Sequence, residues 1–209
     1  MNNFQKTWKA KLKELAIVVD NEGVPIDKDI LETVAVFNLN GFPTVKSCAG
    51  HITYHPLTFP FILGWTAEKP ENRFTNDKKL RQRLALSLPP EEIELNPIAA
   101  KKYYKIVAKR HLHETKEYKT WNKKNILLRK SLRSLLQQFY SKRTVSPDAK
   151  IYLAKITPGY LVMTGRMKTK KMIKNNTVKP NKIPQIQNSI IAGQKEMKAF
   201  TEFLKKRII

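Results

Sequence analysis

Apolar positions recur every three or four residues over 4–19, where Trp8, Leu12, Leu15 and Val19 share one side and Lys6, Lys9 and Lys13 fall elsewhere. That spacing predicts an amphipathic helix. Asn21-Glu22-Gly23 ends it, and Val24-Pro25 forces an extended step. A second helix is expected with Asp27 as N-cap and with Asp29 and Glu32 in its first turn, where the helix dipole favours acids. Ile30, Val34 and Phe37, with Leu31 and Ala35, form its buried stripe, and Asn40-Gly41 is its stop.

The pattern then changes period. Residues 43–47 read as a short strand, 52–54 as its continuation after a break, and 58–65 as the next strand. Pro60 inside that run predicts an edge or a bulge, because proline cannot donate to a ladder. Residues 66–76 read as loop and 77–88 as a helix stopped by Pro89-Pro90. Pro97 suits the first position of a helix reaching about residue 116. A further helix over 121–140 would turn Ile126, Leu127, Leu132, Leu135, Leu136 and Phe139 inward. Residues 149–156 and 160–164 flank Thr157-Pro158-Gly159, a hairpin signal. Residues 166–182, with six Lys, one Arg and no periodicity, predict a basic linker that is mobile or orders on binding. A last helix over 184–208 would dock through Ile186, Ile190, Met197, Phe200, Phe203 and Leu204. Helices flank a few strands without alternating with them, so the expected class is α+β. The chain then reads as one domain (1–209), a small sheet packed by helices, with a basic helical insertion at 68–145 and a C-terminal docking helix.

Composition sharpens this picture in one respect. Residues 1–67 carry six Lys and six acids, while 68–209 hold 34 basic and 11 acidic residues and account for the whole +23. Within 101–182 there are 23 basic residues and three acidic ones, Glu114, Glu117 and Asp148. Such a block attracts polyanions: RNA, DNA or an anionic membrane surface. The candidate contacts are Lys101, Lys102, Lys105, Lys109, Arg110, Lys123, Lys124, Arg129, Lys130 and Arg133. Tyr103, Tyr104, Tyr118, Trp121 and Tyr140 interleave with them and serve either as base-stacking platforms or as the inward faces of the helices. A uniformly lysine-rich surface is the alternative, and the neutral first third argues against it. One cysteine excludes an internal disulfide and fits a reducing compartment. No secretory pattern opens the chain and no apolar run nears the roughly 18 residues of a membrane span, so a cytoplasmic protein without membrane insertion is expected.

Candidate chemistry concentrates in Ser47-Cys48-Ala49-Gly50-His51. Cys48 could act as a nucleophile with His51 as its base, although no neighbour supplies the third group that orients the histidine. A small buried Cys at a strand end is the structural alternative. Thr44, Ser47, Gly50 and His55 are candidate ligand contacts around them. Cys48-x2-His51-x3-His55 has metal-compatible donors, but a structural zinc site wants four ligands and this run supplies three, so no metal is assigned. Walker, GxGxxG, HExxH and CxxC motifs are absent, and no cofactor follows from the residues.

Asp27, Gly41, Thr44, Ser47, Cys48, Gly50 and His51 together make a T-x-x-S-C-x-G-H motif behind an Asp-started helix. In this the chain resembles a family of uncharacterised small bacterial proteins, many from candidate-phylum genomes. The segments 135–140 and 194–205 also look like that family, which implies no activity and often carries an acid where Ala49 stands. Ser47-Cys48-Ala49-Gly50 is similar, over a shorter stretch, to the Ser-Ser-Cys-x-Gly-Arg motif of the wybutosine-synthesising tRNA methyltransferase family, with His51 in place of Arg. The expected function is therefore RNA binding through the basic helices, with a ligand or active-site turn at Ser47–His51. The alternatives are an RNA-modifying enzyme using Cys48 and His51, and an accessory protein docking on an acidic complex such as a ribosome.

Overall fold

The stripe Ile30, Val34 and Phe37 forms the central helix of the fold. In the computed structural model, which describes residues 3–19, 23–52, 57–67, 69–76, 78–79, 97–109, 112–155, 159–165 and 178–208, the helices are α1 (Asn3–Ala16), α2 (Lys28–Leu39), α3 (Pro97–Lys109), α4 (Lys116–Tyr140) and α5 (Ile183–Lys205). The strands are β1 (Lys46–Cys48), β2 (Phe61–Gly64), β3 (Tyr152–Lys155) and β4 (Tyr160–Met163). They pair antiparallel in the order β1-β2-β4-β3. This is an α+β fold with a small sheet, as the unalternated order of elements predicted.

Register decides which sheet face meets the helices. Ser47, Ile62, Val162 and Leu153 lie in one row across the four strands. Ile62 and Val162 in that row are fully buried and join α2, α4 and α5 in the main core. There Phe37 meets Phe42 and Phe200 edge-on, and Phe200 meets Phe139 at 5.1 Å. Tyr160 lies in the same core and donates to the carbonyls of Phe42 and Pro43 at 3.1 and 2.9 Å. No side chain fits opposite it at Gly64, where a Cβ would stand 2.0 Å from the Pro43 carbonyl oxygen.

Several expectations need correction. Pro60 implies no edge: β2 is an interior strand, and Pro60 stands just ahead of it, outside the ladder, where its carbonyl accepts from the Thr164 N–H. The helix from Pro97 does not continue to residue 116. It stops at Lys109, and Thr115 begins a new helix by accepting from the Tyr118 N–H, in the way a Thr N-cap does. The inward face of α4 also differs from the expected one, because Ile126 and Leu127 lie well over 100° round the helix from Leu132. Tyr118, Trp121, Asn125, Leu132, Leu136 and Phe139 are buried, whereas Ile126 and Leu127 are exposed. Of the basic linker, Pro180–Lys182 forms a 3-10 turn leading into α5, and residues 166–177 lie outside the described residues, as does all but 78–79 of the helix expected over 77–88.

Burial keeps the Tyr160 phenol protonated well above its usual range. The unfolded chain loses that proton near pH 10 and the folded chain does not, so folded stability should fall as pH rises above about 10, by about 1.4 kcal/mol per pH unit from this group. Urea midpoints at pH 9, 10 and 11 would show this decline. In Tyr160→Phe the decline should be shallower by that amount, although the variant starts from a lower stability at neutral pH; equal slopes would refute the assignment.

Candidate functional site

The connection after α2 creates the site. A 12-residue helix is about 18 Å long, and six extended residues from Pro43 to Cys48 span about 20 Å. Asn40 and Gly41 (φ +79°) reverse the chain, so the end of β1 returns to the level where α2 begins. Asp27, just ahead of α2, therefore meets Cys48 and His51, just at and beyond the end of β1. One donor atom from each of Asp27, Cys48 and His51 lies within 4.8 Å of the other two. His51 Nε2 is 4.0 Å from Asp27 Oδ2.

Asp27 stands at the N-cap position of α2, but its side chain makes no capping bond. Its Oδ2 instead accepts from the Ala49 N–H at 3.1 Å, which ties the helix start to the turn. The Cys48 thiol is buried and accepts from the Gly50 N–H at 3.4 Å, with Thr58 Oγ1 at 3.6 Å. Gly50 holds φ +88°, and a Cβ there would stand 2.7 Å from Pro60 Cδ, so both conformation and space require glycine. His51 and Thr58 exchange backbone hydrogen bonds at 2.9 and 3.1 Å. From α5, Gln194 Nε2 donates to the carbonyls of Ala49 and Gly50 at 3.1 and 3.0 Å and clamps the turn. A cleft of about 440 Å³ opens beside it between α2 and α5, lined by Lys28, Thr33, Ala49, Pro60, Lys195 and Lys198 among others.

The structure thus brings Cys48, Gly50 and His51 together. Thr44 is not among them: its N–H bonds Asn38 near the far end of α2, some 16 Å from Asp27 along the helix. Ser47 points to the opposite sheet face from Cys48, because successive strand side chains alternate. His55 lies outside the described residues. Asp27, Thr58 and Gln194 are the members that sequence reading did not place in the site.

The basic residues form separate faces. On α4, Lys116, Lys119, Lys123, Lys130 and Arg133 fall within about 100° of arc, on the side turned away from the buried stripe Tyr118, Trp121, Asn125, Leu132, Leu136 and Phe139. Lys101, Lys102, Lys105 and Lys109 occupy a similar arc on α3, opposite Tyr103 and Val107. Lys123, Lys124, Lys130 and Arg133 are exposed, Arg129 is half-buried, and Arg110 lies outside the described residues. The interleaved aromatics face inward. Tyr103, Tyr118 and Trp121 are buried, and the Arg73 guanidinium stands over the rings of Tyr104 and Tyr118 and also pairs with Glu114 at 2.9 Å. Tyr140, half-buried beside the Arg143–Glu196 pair, completes the set.

No helix among the described residues is long and apolar enough to cross a membrane. No protein-family model matches the chain, and neither a curated protein nor a solved structure matches it.

Proposed function

We propose that the chain binds nucleic acid, with RNA preferred over DNA, by seating the basic faces of α3 and α4 on the phosphate backbone. The observation that carries this is the α4 stripe: five cations on one arc from Lys116 to Arg133, about 25 Å long, set opposite the core so that none is needed for folding. Glu117, the acid on that helix, lies off the stripe. Because Tyr103, Tyr118 and Trp121 are buried, contact would come from phosphate pairing rather than base stacking, and sequence discrimination would be weak. The likeness of Ser47–Gly50 to a tRNA-modifying family's motif supports RNA as the polyanion.

Binding to single-stranded RNA, duplex RNA and duplex DNA, titrated across salt, tests this. Five neutralised phosphates give a slope of log affinity on log salt of about −4.5 for a duplex and about −3.5 for a single strand. The expected result is a slope of that size with one RNA form preferred. Equal, weak binding to all three and to heparin would overturn it.

A further inference from the structure

We propose that Asp27, Cys48 and His51 bind a borderline divalent transition-metal ion of the zinc type, with three protein donors and one open coordination position. The first ground is convergence. A thiol sulfur, an imidazole nitrogen and a carboxylate oxygen, brought together from the start of α2 and the end of β1, lie within 4.8 Å of one another. An ion standing about 2.0–2.3 Å from each donor holds them roughly 3.5 Å apart, so the cluster needs to contract by about 1 Å.

The second ground is what the same geometry excludes. In a Cys–His–Asp relay the imidazole stands between nucleophile and carboxylate, using one nitrogen for each. Two hydrogen bonds of about 3 Å and the ring itself then separate sulfur from oxygen. Here sulfur and carboxylate oxygen are within 4.8 Å of each other, and one and the same ring nitrogen lies within 4.8 Å of both. That is the arrangement of a chelate.

The surroundings fit as well. Asp27 leaves its cap role unfilled and is oriented instead by the Ala49 N–H, as an outer-shell donor orients a ligating carboxylate. The Gly50 N–H donates to the sulfur and orients it, as an outer-shell donor orients a ligand. Gln194 fixes the turn that carries both. The Asp27 and His51 side chains are 37% and 45% exposed, so an ion can enter, while the sulfur is buried beneath them. Thiolate and carboxylate together balance a divalent charge. One sulfur, one nitrogen and one oxygen donor suit zinc or cobalt rather than magnesium or calcium, which take oxygen.

Cobalt(II) is the probe. The metal-stripped full chain, with no nucleic acid present, would be titrated with cobalt and then challenged with zinc. The expected result is one equivalent bound, with a sulfur-to-cobalt charge-transfer band in the near ultraviolet, visible bands of four-coordinate intensity, and displacement by zinc. Asp27→Asn keeps shape and packing and should weaken cobalt binding more than tenfold, as should His51→Ala, while Cys48→Ser should abolish the charge-transfer band. Circular dichroism would confirm that each variant is folded. Absence of the band in the native chain would overturn the site. So would a band that survives both Asp27→Asn and His51→Ala, which would reflect a lone thiol. Because no RNA is used, the outcome is independent of the nucleic-acid reading.

Discussion

Phe200→Ala should cost about 3–5 kcal/mol, a large part of the roughly 5–15 kcal/mol by which a domain is stable. Phe200 is fully buried on α5, edge-on to Phe37 of α2 at 6.0 Å, edge-on to Phe139 of α4 at 5.1 Å and stacked with Phe203 at 5.9 Å. Three helices therefore lose packing at one truncation, and none can close the cavity without leaving the others. Urea denaturation of the variant beside Ile98→Ala, an 82% exposed position, measures the difference. A loss below about 1 kcal/mol for Phe200→Ala would mean that α5 is not integral to the core. The same helix carries Gln194, so a loosened α5 should also loosen the turn at Cys48.

Where the sequence was legible, local pattern agreed with tertiary need. The α2 stripe, the Asn40-Gly41 stop, the hairpin strands and the apolar positions of α5 are all readable within a few turns of chain, and each lies where its period placed it. The errors came where one pattern allowed two phases. Ile126 and Leu127 are apolar, but at about 100° per residue they lie well over 100° round the helix from Leu132, so no helix over 121–140 turns all six apolar residues inward. Tyr118, Trp121 and Asn125 share the Leu132 side and complete the buried stripe, which leaves Ile126 and Leu127 facing solvent. Thr115 followed by Glu117 was the available signal, hidden by treating 97–116 as one helix.

The site was half legible for a different reason. Cys48, Gly50 and His51 lie within four residues and carry chemistry of their own. Asp27 is 24 residues from His51 in the chain and reads as an ordinary cap. Only the matching of helix length to return-strand length brings it back. Comparing those two lengths would have placed it beside Cys48 before any coordinates were known. Thr58 and Gln194 had no such signal, since one reaches the site through its backbone pairing with His51 and the other through the packing of α5 on α2.

Charge reversal of the α4 stripe is expected to have the largest effect on binding. Lys123→Glu, Lys130→Glu and Arg133→Glu combined should lower RNA affinity by at least about 100-fold at low salt and make the salt slope shallower by about 3, since each lost phosphate contact removes close to one unit. The fold should survive, because all three side chains are exposed and none belongs to the buried stripe of α4. The informative control carries the same change in net charge at a different place. Lys6, Lys9 and Lys13 are exposed on α1, in the neutral first third of the chain, and reversing them also removes six units from the +23. If affinity depends on a located face, that control, read at about 0.15 M salt where the Debye length is about 8 Å, loses less than about threefold, since exposed charges off the contact face are then largely screened. Equal losses in the two triple variants would mean that the charge attracts polyanions as a whole and that α4 is no interface. Affinity lost only on α4, with thermal midpoints unchanged in both, would fix the phosphate contacts to that helix.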